Sequence, residues 1–335
     1  MISPTSACHA RYNAAMILPA SATAALVLLA VSILCWGSWA NLLKLTGRWR
    51  FELFYYDFSF GALAFAILAA FTLGTLNSKE LTFQDNLLVA GYRNIAFAIA
   101  AGIVFNLANM LLVGAISVAG MAAAFPMAIG WALALDTGVN YLMNLRGDPV
   151  LLSAGGALTF TAAIVAAAAW RARAQRAGKA IALCVTAGIF MAMFYPLLRF
   201  GAWSENGIGP YGTILFFGVG VWLSTLLYNP FFMFFPVQGK PLEIRLYFSG
   251  RKREHLLGVF AGMLWIAGGL ASVLVAPSSL GAYQWGQISA ALSALWGLFA
   301  WREFAGTRPA AKFLIAASVV LFAAGAASLG WAYGK

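Results

Sequence analysis

Charge is what this sequence has least of. Asp, Glu, Lys and Arg make up only 9% of its 335 residues, and ten of them are carboxylates. A soluble globular chain carries about 25% charged residues, so too little charge is present here to solvate a water-facing surface. That shortage excludes a soluble α/β enzyme. Histidine is as scarce: His9 and His255 both fall in polar stretches and share no helix, which excludes an HExxH-type site. Cys8, Cys35 and Cys184 form no CxxC pair, so a metal, redox or disulfide framework is absent from the pattern. No GxxxxGK[ST] occurs, and no cofactor is expected.

Apolar residues are what is present, at 62% of the chain with a mean hydropathy of +0.84. This excludes a disordered chain and points to a polytopic, integral membrane protein, with the lipid bilayer as its solvent and a bacterial inner (plasma) membrane as its expected location. The +11 formal charge lies in short runs between apolar segments, where topology places Lys and Arg, so no nucleic-acid partner is expected.

Apolar stretches of about 20 residues can be counted directly. Ten are expected, at roughly 17–45, 51–74, 92–115, 117–142, 149–170, 180–202, 210–235, 256–276, 279–301 and 309–332. Backbone groups in lipid must be satisfied within each span, so these are helices, and the fold class is an all-α membrane protein of ten transmembrane helices. Residues 1–16 form a polar tail, with Met16 an alternative start. Numbering the connections alternately puts Arg11, Lys79, Arg93, Arg146 and Lys335 on one side. Fifteen cations, from Lys44, Arg48 and Arg50 through Arg171–Lys179 and Lys240–Arg253 to Arg302, Arg308 and Lys312, fall on the other. The positive-inside rule assigns those fifteen to the cytoplasm and both termini to the outside.

The chain also repeats itself at an offset of about 155–161 residues. Leu42-Leu43-Lys44-Leu45 falls on Leu197-Leu198-Arg199-Phe200, Ala101-Gly102 on Ala261-Gly262, Gly120 on Gly281 and Pro149 on Pro309. Two five-helix repeats, 17–170 and 180–335, joined by a short basic linker at 171–179, must enter the membrane in opposite directions because five is odd. That is the inverted-repeat plan of secondary transporters.

Two segments carry a more specific resemblance. Leu34-Cys35-Trp36-Gly37-Ser38-Trp39-Ala40-Asn41 with Trp49-Arg50-Phe51-Glu52-Leu53-Phe54-Tyr55-Tyr56-Asp57 resembles the opening of the drug/metabolite transporter superfamily, in the branch of glucose/ribose porters and ureide permeases. Ala294-Leu295-Trp296-Gly297 through Trp301-Arg302-Glu303-Phe304 is similar to the point before the last helix in those proteins. The resemblance implies ten helices in two inverted halves, a central cavity and transport of a small polar solute. One departure is plain: the long central loop of ureide permeases is replaced here by Arg171 to Lys179.

Polar residues inside spans need a reason, because an ionisable group there costs several kcal/mol, about 2.5–3.5 on insertion scales. Asp57 and Asp136 are the candidate ion-coupling carboxylates. A hairpin of the first two helices would bring Asp57 level with Ser38 and near Asn41, and Glu52 opposite Lys44. Asn140 lies one turn beyond Asp136, on the same face. Lys44 and Arg199 occupy equivalent repeat positions, read either as cations reaching the headgroups or as a pair facing an anionic substrate. Asn106 and Asn109 offer donors and acceptors suited to sugar hydroxyls, or serve as interhelical links. Tyr283, Gln284 and Gln287 would line the cavity opposite, with Trp36, Trp39 and Asn41 of the first helix. Gly258 and Gly262 form a GxxxG read as close helix packing, and Pro126, Pro196 and Pro277 mark kinks or boundaries.

The expected function is a secondary active transporter of a small polar metabolite, sugar-like by preference, coupled to H+ or Na+ and working as a monomer or homodimer. The alternative is an exporter of amphipathic drugs or amino acids. A membrane enzyme is not expected, since no Ser, His and Asp converge. For the orientation, Arg173→Cys should react with an impermeant thiol reagent only from the cytoplasmic side; labelling from outside would overturn it.

Overall fold

A computed structural model of the protein describes residues 21–76, 82–144, 147–174, 177–203, 207–276 and 281–333. The described residues contain helices and no strand. In chain order these are α1 (Ala22–Leu45), α2 (Phe51–Phe71), α3 (Phe83–Val89), α4 (Tyr92–Ala119), α5 (Met121–Asn144), α6 (Pro149–Arg173) and α7 (Gly178–Trp203). They continue with α8 (Gly209–Phe234), α9 (Arg245–Phe248), α10 (Lys252–Val275), α11 (Ala282–Gly286), α12 (Ser289–Leu295) and α13 (Pro309–Tyr333). Nine of the described helices are long and apolar enough to cross a membrane.

The expected span at 279–301 is the exception. It is broken into α11, α12 and a π-helical turn, Trp296–Ala300. Where α11 stops, the Gln287 amide bonds back to the Tyr283 and Gln284 carbonyls, at 3.2 and 3.1 Å. Apolar count sees length and composition but not this interruption of the regular helix. The tail at 1–16, including Cys8 and His9, and Pro277 lie outside the described residues. Pro126 and Pro196 sit inside α5 and α7 without ending them. His255, expected in a polar connection, instead lies in the first turn of α10.

Local sequence sets several ends. Ser21 caps α1 by accepting from the Ala24 amide at 3.1 Å, and Asp148 accepts from Val150 and Leu151 ahead of Pro149 at α6, satisfying amides that a helix start leaves orphaned. Gly120 separates α4 from α5 at φ +81°, a conformation open to glycine and strained for other residues.

Helices in lipid gain little from hydrophobic burial against one another and associate through close packing of small residues. Two crossings do this here. Where α2 meets α10, a Cβ on Gly262 would lie 1.9 Å from the Phe58 carbonyl oxygen, and one on Gly61 would lie 2.0 Å from that of Val259. Where α4 meets α8, a Cβ on Gly102 would lie 2.2 Å from the Phe217 oxygen, and one on Gly220 would lie 2.2 Å from that of Ile99. Helix α1 packs on α10 and α12, α7 on α4 and α5, and α6 and α13 pair with each other.

The basic connections gather at one end of this bundle. An Arg50 Nη1 donates to the Lys240 carbonyl at 2.7 Å, Arg253 to that of Leu45 at 3.4 Å, and the Lys179 ammonium to that of Val237. Arg173 stacks on Phe304 at 5.1 Å. We expect Gly262→Val and Gly102→Val each to destabilise the protein by about 1–3 kcal/mol or more, read as a lowered Tm in detergent; an unchanged Tm would mean the helices do not approach backbone to backbone.

Candidate functional site: a central aromatic cavity

The crossings bring side chains from α1, α4, α5, α7, α8, α10 and the broken segment around one cavity of about 100 Å3, room for several waters or one small molecule. Nine of its 25 lining residues are aromatic. Phe105 and Trp265 stack with centroids 5.1 Å apart, Phe217 lies 5.6 Å from Phe105, and Phe194 lies 4.8 Å from Phe105. Polar atoms come from Asn109, Ser272, Ser289, Tyr195, Tyr283 and Gln287, and none of the lining residues is charged.

Five of the expected binding residues line this cavity: Trp36, Trp39, Asn109, Tyr283 and Gln287. Trp36 is held there by its indole N–H, which donates to the Trp265 carbonyl at 3.0 Å. Three others do not reach it. Asn41 donates to the Ser38 carbonyl at 3.0 Å and accepts from the Trp301 indole at 2.6 Å, tying α1 to the segment after the π turn. Asn106 is fully buried, accepting from the Tyr55 hydroxyl at 2.9 Å and donating to Ser224 and Thr225 at 2.9 and 3.0 Å. It links α2, α4 and α8. Gln284 is buried outside the lining, and its Oε1 has no partner among the described residues.

Tyr55 was not singled out by sequence, yet it organises this region. Its hydroxyl donates to Asn106 and accepts from the Asn109 amide at 2.9 Å. Asn109 is thereby aimed from α4 into the cavity. The i, i+3 spacing of the two asparagines signalled a shared turn, but not a tyrosine between them.

The carboxylates are placed differently from the hairpin expectation. Asp57 does not meet Ser38 or Asn41. It accepts from the Tyr247 hydroxyl at 2.6 Å and from His255 Nδ1 at 2.8 Å, at the α2–α10 crossing where a Cβ on Gly258 would come within 2.5 Å of its own. The connection before α10 folds back over α2 and supplies Tyr247, and the first turn of α10 supplies His255. Trp49 and Tyr247 close on His255 edge-on, at 5.4 and 4.8 Å. Burial, reinforced by the Asp57 carboxylate, holds the Tyr247 hydroxyl well above its ordinary titration range, so it stays a donor. Glu52 pairs with Arg50 and not with Lys44. Lys44 pairs at 2.5 Å with Glu303, in the segment after the π turn.

Asp136 is buried in the neighbourhood of Tyr195, Tyr283 and Tyr333. Arg199 lies near Tyr195 and Tyr333, so carboxylate and guanidinium share one cluster at the end away from Lys44. Tyr195 and Tyr283, which line the cavity, stack nearly parallel with centroids 3.9 Å apart. The Asn140 side chain lies outside the described residues. Among the described residues, no group of three His, Cys, Asp or Glu could hold a metal ion.

No family model matches the chain, and no curated protein matches it. Among solved structures, a crystal structure of a protein superposes with a TM-score of 0.55 at 20% identity, covering 92% of this chain and 96% of that one. At that identity the likeness is one of fold.

Tyr55→Phe should lower stability by about 1–3 kcal/mol, because it leaves two buried amide groups without their partner. Thermal unfolding would register it, and a Tm equal to the parent's would show that Asn109 is held by something else.

Proposed function

We propose that this protein is a secondary transporter that carries a small solute through the central cavity, built as two inverted five-helix halves and belonging to the drug/metabolite transporter superfamily. The observation that carries the reading is the way the cavity is walled. Several of its lining residues fall in pairs about 160 positions apart in sequence, the spacing an internal repeat requires: Phe105 with Trp265, Trp36 with Tyr195, and Ile129 with Ala290. The glycine crossings obey the same spacing, since Gly61 and Gly262 on α2 and α10 correspond to Gly220 and Gly102 on α8 and α4. A substrate site between two such halves is where alternating access places it. The resemblance of the Trp36–Asn41 and Trp296–Phe304 segments supports the superfamily, with α11, α12 and the π turn together counting as the tenth crossing.

The lining favours an uncharged solute with a flat apolar face and hydrogen-bonding edges. A sugar ring fits, with its C–H face on Phe105 or Trp265 and its hydroxyls toward Asn109, Gln287 and Ser289. The aromatic share of the lining also favours the second reading, export of amphipathic compounds. Coupling to H+ or Na+ would use Asp57, whose His255 and Tyr247 partners suit proton exchange, or Asp136, which lies near the stacked tyrosines. The basic end would face the cytoplasm.

Thermal stabilisation against sugars, polyols, ureides, nucleosides and hydrophobic cations tests the reading. A ligand at 100 Kd should add about 2.7 kcal/mol, and Asn109→Leu should erase the shift. Stabilisation by hydrophobic cations alone would favour the exporter. Asp57→Asn should abolish accumulation against a gradient while the protein still inserts; normal concentrative uptake would end the coupling role.

A further inference from the structure

Glu303 is a carboxylate whose side chain is only 7% exposed, and the reading above leaves it unused. One oxygen takes the Lys44 ammonium at 2.5 Å and the Met121 amide at 3.0 Å, and the other takes the Ala122 amide at 2.8 Å. It therefore ties the last turn of α1 to the first turn of α5. The backbone around it is shaped for the purpose. A Cβ on Gly297 would lie 2.6 Å from its Oε2 and one on Gly120 would lie 2.5 Å from the same atom. Its neighbour Arg302 is the one described non-glycine residue at positive φ, 49°. Strained backbone of this kind persists where surrounding structure over-determines it, and it concentrates at switch regions.

The tie stands where the cavity would open. A vestibule of about 440 Å3 lies at the basic end, lined by Leu43, Lys44 and Ile116 among others. Trp39 and Leu112 line the central cavity. Leu43 and Ile116 are each four residues further along the same helices, so about one helical turn of α1 and of α4 separates the two spaces. At the opposite end, Arg199, which aligns with Lys44 in the repeat, shares its cluster with Asp136 beside the stacked Tyr195 and Tyr283.

We propose that Glu303 is a gate latch: while it bridges Lys44 and the amino terminus of α5, the cavity is shut toward the basic end, and that end opens when the bridge breaks. Helices α1 and α5 then part, the vestibule joins the cavity, and the Arg302 backbone relaxes. This rests on the transporter reading for its purpose, but opening can be measured without any solute.

The experiment places a reporter in the cavity wall, Ala290→Cys, with Cys8, Cys35 and Cys184 replaced by Ser, in reconstituted vesicles. An impermeant maleimide is added from the basic end. Lys44→Met removes the bridge and leaves Glu303 to cap α5, whereas Lys44→Arg keeps both. Labelling should rise about tenfold in Lys44→Met and in Glu303→Gln, the population shift equivalent to one charge-assisted hydrogen bond, and stay at the parental rate in Lys44→Arg. A Lys44→Met protein with parental Tm and parental labelling rate would overturn the proposal and leave Glu303 as a helix cap. Should Glu303→Gln fail to fold, Lys44→Met still decides. Failure here leaves ligand stabilisation untouched, and failure of the ligand panel leaves the labelling result standing.

Discussion

Close approach of backbones is the constraint on which this bundle depends. Lipid tails are as apolar as leucine, so apolar side chains alone give helices no reason to prefer one another. Here α2 and α10, and likewise α4 and α8, meet at reciprocal glycines, each set against a carbonyl of the opposing helix. Those crossings bring Phe58, Phe217, Phe105 and Trp265 together at the centre. The cavity is the space these rings leave. Larger residues at the glycines would push the helices apart and dissolve the arrangement of rings, so the site depends on positions that never touch it.

Charge is handled by the same economy of space. Few carboxylates are present, and three of them are paired: Glu52 with Arg50, two residues before it, Asp57 with the His255 imidazole and Glu303 with Lys44, the last two across the bundle. Each lies near the basic end, where the connections interlock. An ion taken out of water needs both a partner and further hydrogen bonds. Asp57 has Tyr247 beside His255, and Glu303 has two backbone amides beside Lys44. The cavity itself is lined by neutral groups, so a solute there would meet dipoles and aromatic faces, with fixed charge held back at both ends.

Much of the architecture could be read from residue order. The apolar stretches marked the spanning helices because backbone satisfaction in lipid leaves little choice of structure. Gly258 and Gly262 read as packing residues from their spacing, and they sit on Asp57 and Phe58 of α2. Trp36, Trp39, Asn109, Tyr283 and Gln287 were legible as cavity residues because polar or amphipathic groups in apolar spans tend to face protein. Asn106 satisfied the same rule and yet serves as a link, since it lies about 60° round α4 from Asn109 and meets Tyr55 of α2 and Ser224 and Thr225 of α8. The span at 279–301 was long and mostly apolar, and its composition does not record that the helix breaks after Gly286.

Sequence by itself determined the class of molecule, an α-helical membrane protein, together with most of its spans and the positions of its small residues. These follow from local rules: the length of a bilayer crossing, the cost of an unpaired backbone group, the absence of a Cβ. Tertiary structure alone decided which polar group met which. Asp57 found His255 and Tyr247 in place of Ser38, and Lys44 found Glu303 in place of Glu52, because the connection before α10, the start of α10 itself and the turn before α13 pack across the first two helices. Partners about 190 to 260 residues away in the chain are chosen by how the helices cross, and a crossing is a property of the packed bundle and not of any one segment.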